Sequence, residues 1–165
     1  MLTELDTGRN EHPVDIVEQV AALNQWQFER PVVDEISIAI TGGWSDYHAG
    51  FTWIETLEAL HLGCAFDLRV PEQRRSEVLK LISMINEQMF VGHFDLWPSE
   101  NVVMFRHSLL LVGNGQASPE QCETLLTIAI DACERYYQAF QFVVWAGRTA
   151  REALAGAMFE TVGSA

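Results

Sequence analysis

Glu35-Ile36-Ser37-Ile38-Ala39-Ile40-Thr41, Gly42-Gly43 and then Asp46-Tyr47-His48-Ala49-Gly50-Phe51-Thr52-Trp53-Ile54 is the stretch that decides the fold. Apolar side chains fall on every second residue before and after the glycine pair. Successive side chains of a strand point to opposite faces, so this is the pattern of two half-buried strands. The glycines between them signal a hairpin. In the second strand Tyr47, Ala49, Phe51 and Trp53 share one face, and Asp46, His48, Gly50 and Thr52 the other.

The same alternation recurs further along. In Ala59–Leu68, the residues Leu60, Leu62, Cys64, Phe66 and Leu68 lie opposite His61, Gly63, Ala65 and Asp67. Val102–Leu111 puts Val103, Phe105, His107 and Leu109 on one face and Arg106 on the other. Phe94 and Leu96 begin a further strand that the turn Trp97–Asn101 closes. Trp26–Arg30 reads as a short strand ending before Pro31.

Between and around these strands lie helical stretches. Pro13 opens one that ends near Asn24. Pro71–Met89 carries the stripe Val78, Leu81, Ile82, Ile85 and Met89, with Gly92 marking its end. Ser118-Pro119-Glu120-Gln121 is a capping box for a helix over Pro119–Trp145, and Thr149-Ala150-Arg151-Glu152 opens a short last one. Successive hairpins and helices striped on one side predict an α+β, two-layer domain. Its mainly antiparallel sheet of about five to six strands is covered by helices on one face. The domain spans 13–160, between a flexible N-terminus (1–12) and a flexible tail (161–165).

The chain has 165 residues and a net charge of −13. A nucleic-acid binder needs a basic footprint, so that class is excluded, and the acidity suits a basic or amphipathic protein partner. The uncharged run Ser108–Ser118 falls well short of the roughly 20 apolar residues of a membrane helix. The start Met1-Leu2-Thr3-Glu4 has no signal-peptide character, so a cytoplasmic location is expected and no membrane association.

No catalytic motif appears: there is no nucleophile elbow, phosphate loop or paired-cysteine spacing. Cys64, Cys122 and Cys133 read as reduced structural residues. The five histidines, at 12, 48, 61, 93 and 107, lack the spacings of a zinc site. Strand parity nevertheless places His48, His61 and His93 with Asp67 and Asp95 on the polar sheet face, and Arg106 opposite the apolar one, able to pair with either aspartate. His107 reads as a hydrogen-bonded core histidine. Trp53 and Trp145 read as core by periodicity. Trp44 and Trp97 stand at turns, where an aromatic either anchors an interface or lids the core.

Trp44-Ser45-Asp46-Tyr47-His48, Leu57-Glu58-Ala59-Leu60-His61 and Ala65-Phe66-Asp67-Leu68 resemble the YbjN-domain family, bacterial proteins labelled sensory transduction regulators. So do Ile85-Asn86-Glu87-Gln88, Gly92-His93-Phe94-Asp95, Val103–His107, Glu134-Arg135-Tyr136-Tyr137 and Phe140-Gln141-Phe142. The likeness runs from Pro13 to Glu160. It implies a fold similar to that of type III secretion chaperones, no catalytic residues and no cofactor. The expectation is a non-enzymatic protein-interaction module, chaperone-like or regulatory, that binds a segment of a protein partner and associates as a homodimer. Its interaction surface would comprise Trp44, His48, His61, Asp67, His93, Asp95, Trp97 and Arg106. The alternative is a small-molecule or metal-binding domain that uses the His48, His61 and His93 face.

Overall fold

The computed structural model describes residues 9–163, with side chains described to Met158. The alternating stretches form strands β1 (Gln27–Val32), β2 (Glu35–Thr41), β3 (Asp46–Ile54), β4 (Ala59–Arg69), β5 (His93–Trp97) and β6 (Val102–Leu110). They make one sheet in the order β1-β2-β3-β4-β6-β5, with every neighbouring pair antiparallel. The helices are α1 (Pro13–Leu23), α2 (Arg75–Asn86), α3 (Pro119–Val144) and α4 (Ala150–Gly163). The expected 1–12 segment overlaps this structure at its last four residues; its first eight, and the last two of the expected tail, lie outside the described residues.

Ile36, Ile38, Tyr47, Phe51, Trp53, Leu62, Phe66 and Phe105 all project to the helix side and are buried there with Leu81, Ile85, Leu126 and Phe140. Each large side chain so removed from water contributes roughly 1.5–3 kcal/mol. Aromatic rings knit the layers at the centre. Phe66 meets Tyr137 edge-on at 5.1 Å between centroids, and Phe94 lies 5.6 Å from Phe140 and 5.9 Å from Phe105. Cys64 of β4 and Cys133 of α3 are buried in the same core with sulfurs 3.9 Å apart. Contact with Cys64 and then burial hold the Cys133 thiol well above its ordinary range, so it is not poised as a nucleophile.

Caps set most helix starts. The His12 ring accepts the Val14 N–H, and the Ser118 and Thr149 hydroxyls accept those of Gln121 and Glu152. Two side chains from the start of α2 join the helices. Arg74 donates to the carbonyls of Val143 and Arg148 at the end of α3, and Glu77 accepts the Ala150 N–H at the start of α4. Each charge complements the partial charge of the helix end it meets.

Three local expectations are corrected. The α2 helix ends at Asn86, before Met89, because the Asn86 amide turns to β5: it accepts the Phe94 N–H and donates to the Phe94 C=O. Trp145 is 65% exposed and not core. It falls just past α3, where Gly147 (φ +68°) turns the chain back. β1 continues through Pro31 to Val32, which an edge strand allows where its register shifts, here between Glu29 and Val32.

Both sheet edges are partly protected. One edge carries Pro31 and a bulge. At the other, Asn86 occupies the outward backbone groups of Phe94, and the Asp95 carboxylate accepts the Leu96 N–H.

Two contacts fix the sheet's ends. The Glu134 carboxylate of α3 accepts the N–H groups of Gly43 (2.5 Å) and Trp44 (3.3 Å) at the β2–β3 hairpin tip, and also the Tyr47 hydroxyl. Arg9 donates to Leu111 O, Gly115 O and Glu58, and so ties the approach to α1 to the end of β6.

Candidate functional site

Among the described residues all the helices cover one side, and the polar side of the sheet is open. Register assigns its rows. One runs Ala39–His48–Ala65–Met104–Asp95, the next Ser37–Gly50–Gly63–Arg106–His93, and the third Glu35–Thr52–His61–Ser108. The middle of the face is therefore a floor of Gly50, Gly63, Ala39 and Ala65. A Cβ at Gly63 would stand 3.1 Å from Met104 Sδ, so the glycine lets that side chain lie across the floor.

At the β4–β6–β5 end His61, Asp95, Trp97, Met104 and Arg106 line a hollow of about 270 Å³. Arg106 donates to Asp95 Oδ2 (3.2 Å) and, at 3.4 Å, to His61 Nε2. A guanidinium only donates, so His61 Nε2 accepts, which assigns the ring proton to Nδ1, 2.9 Å from Ser108 Oγ. The ring is thus neutral. Burial, followed by the charges of Arg106, His93 and His107, lowers its pKa below the ordinary histidine value. At the β1 end a broader hollow of about 540 Å³ is lined by Trp26, Gln27, Phe28, Glu29, Ser37, Ala39 and His48.

Of the eight residues expected on the interaction surface, the structure brings His61, Asp95, Trp97 and Arg106 together. Parity allowed Arg106 either aspartate, and the ion pair is with Asp95. His93 stands beside Arg106 in its row. Asp67 is exposed where β4 bulges between Ala65 and Arg69. His48 belongs to the distant hollow. Trp44 lies off the face, at the hairpin tip that Glu134 clamps, and is 55% exposed.

The three-histidine metal reading loses its geometry. His48 is opposite Ala65, four residues along β4 from His61, or roughly 13 Å. His93 is separated from β4 by β6. Among the described residues no three His, Cys, Asp or Glu side chains are placed to hold a metal ion. The expectation of His107 as a core residue is also corrected: it is half-buried in the wall of a groove of about 320 Å³ between β6 and α3, with Leu109, Thr124, Leu125 and Ile128. Periodicity could not announce this groove, since Leu109 and Leu125 read as ordinary core positions. Among the described residues no helix is long and apolar enough to cross a membrane.

No curated protein matches the chain. Among solved structures it is similar to that of the ExsC–ExsE complex (TM-score 0.51, 13% identity, covering 74% of this chain and 88% of that one). It also matches the structure of YbjN from E. coli (TM-score 0.49, 12% identity, 75% and 93%). A third match is the HopA1–SchA chaperone–effector complex (TM-score 0.43, 10% identity, 71% and 85%). The first of these likenesses shows a common fold, the antiparallel sheet with helices on one face. The family model YbjN, described as "Putative bacterial sensory transduction regulator", matches residues 13–142, and the chain belongs to that family.

Proposed function

We propose that this protein is a cytoplasmic, non-enzymatic binding module, chaperone-like or regulatory, that holds a segment of another protein against the open face of its sheet. One observation carries the reading. Among the described residues one whole face of the sheet is uncovered, with a floor of Gly50, Gly63, Ala39 and Ala65 low enough for another backbone to approach. Around that floor stand anchors of two kinds: Trp97 and Met104 for apolar contact, and Arg106, Asp95, His61 and His48 for hydrogen bonding. His93 and Asp67 extend the polar rim. The family's description as a regulator and the ExsC fold, solved as a complex with ExsE, support the same reading. A second copy of the chain is one occupant of this face, with Trp44 at the hairpin tip as a further anchor.

The test is site-specific photo-crosslinking in living cells, with the crosslinker at Met104 and, as a control, at exposed Lys80. A discrete adduct from Met104 alone is the expected result, and Trp97→Ala weakens its formation by roughly 1–2 kcal/mol or more. Equal labelling from both positions, or none from either, refutes the proposal.

A further inference from the structure

Strand β6 is longer than the strand that covers its outer edge. His93, the first residue of β5, pairs with Arg106, so Ser108–Leu110 continue with β4 on one side and no strand on the other. The ladder decides which groups this leaves. Leu111 N–H donates to Glu58 O, so the odd-numbered residues here turn their backbone groups toward β4. Those of Ser108 and Leu110 therefore face outward. Among the described residues no backbone or side-chain partner meets them. Two donors and two acceptors stand in a line, at the spacing of a strand and in the one stretch of this edge that neither β5 nor Asn86 protects.

The flanks of this stretch are asymmetric. On the helix side lies the groove of Leu109, Thr124, Leu125 and Ile128, with Glu120 also in its wall. Phe90, in the loop that leads into β5, is wholly exposed, and Leu110, which shares the parity of Ser108, is exposed on the open face. On the other side lie Ser108 and His61.

We propose that this open length of β6 docks an extended segment of a partner protein as a short additional strand. The inference rests on the protein-binding reading above and adds a second, separate place of contact. The unpaired backbone groups choose the occupant, because only another extended backbone supplies alternating donors and acceptors in register. A helix satisfies its own, and a lipid tail has none. Alternate side chains of the segment enter the groove and are aliphatic. A lysine or arginine follows them toward Glu120, as the chain's net charge of −13 favours.

The experiment uses the full chain, labelled with nitrogen-15, and an acetylated, amidated hexapeptide alternating valine and threonine and ending in lysine. Millimolar peptide slows amide exchange at Ser108 and Leu110 and leaves Phe28, on the opposite edge strand, unchanged. Two further peptides carry N-methyl groups on alternate residues. The one methylated on the edge-facing amides binds roughly tenfold or more weakly, and the other keeps its affinity. Equal binding by both isomers reduces the site to an apolar groove and overturns the strand proposal. So does the absence of slowing at Ser108 and Leu110, or protection of these amides in a dimer without peptide. A Met104 crosslink with no effect at the β6 edge overturns this inference and leaves the proposed function standing. Peptide at the edge with no Met104 crosslink does the reverse.

Discussion

Replacing Glu134 by alanine tests whether one carboxylate locks the β2–β3 hairpin to the helix layer. Its oxygens accept three hydrogen bonds, from Gly43 N, Trp44 N and the Tyr47 hydroxyl. The first two donors are exposed and return to water at little cost. Tyr47 is fully buried, and its hydroxyl is left without an acceptor, a loss of roughly 1–3 kcal/mol. Alanine's better helix propensity offsets a few tenths, so the expected destabilisation is roughly 2 kcal/mol. Tyr47→Phe, which leaves nothing to satisfy, costs roughly 1 kcal/mol. The pair together costs about 1–1.5 kcal/mol, less than the sum, with a coupling of roughly 1–2 kcal/mol. Urea unfolding followed by tryptophan fluorescence measures all three variants. A shift in midpoint of about 1 M for Glu134→Ala at unchanged slope is the expected signature. Strict additivity, or a Glu134→Ala cost under about 0.5 kcal/mol, refutes the reasoning.

Two further outcomes follow from particular geometry. Gly92→Ala destabilises by more than about 1 kcal/mol in the same assay, because φ is +75° there and an added Cβ would lie 2.2 Å from the Phe105 ring; a neutral effect contradicts the model of that turn. His61 has a folded pKa below its unfolded value, so its contribution to stability is complete above about pH 6.5 and is lost as the pH falls through and below that value. Stability measured from pH 8 to pH 5 therefore declines on the acid side. His61→Gln makes that decline shallower, and an unchanged slope counts against the half-buried neutral ring.

What was legible in the chain was parity. The positions Ile36, Phe51, Leu62, Phe66 and Phe105 announced their face because a strand has only two. The same rule put His61, Asp95 and Arg106 on one side and allowed their meeting. Parity says nothing of row, and so could not separate His48 from His61 or choose between Asp67 and Asp95 for Arg106. Strand order was hidden too, since β6 reaches β4 only after β5 has taken the edge. The features decided by a single distant side chain left no local trace. Asn86 ends α2 in favour of the Phe94 backbone, and Glu134 reaches across to Gly43. Trp145, read as core, lies exposed just past the last turn of α3.

The sheet and its cover are made at different times. Strands β1 to β4 are neighbours in sequence as well as in space and can pair while the chain is still emerging. Helix α1 precedes β2 and β3 and packs on both, but β4 finds its cover in α3, which begins only at Pro119. At roughly 5–20 residues per second, a ribosome takes seconds to cross that interval. During that delay the nascent protein displays the apolar face of β4, Leu60 to Leu68, which favours sticking to its like. A pause or truncation before residue 119 therefore leaves that face bare and favours aggregation of the fragment.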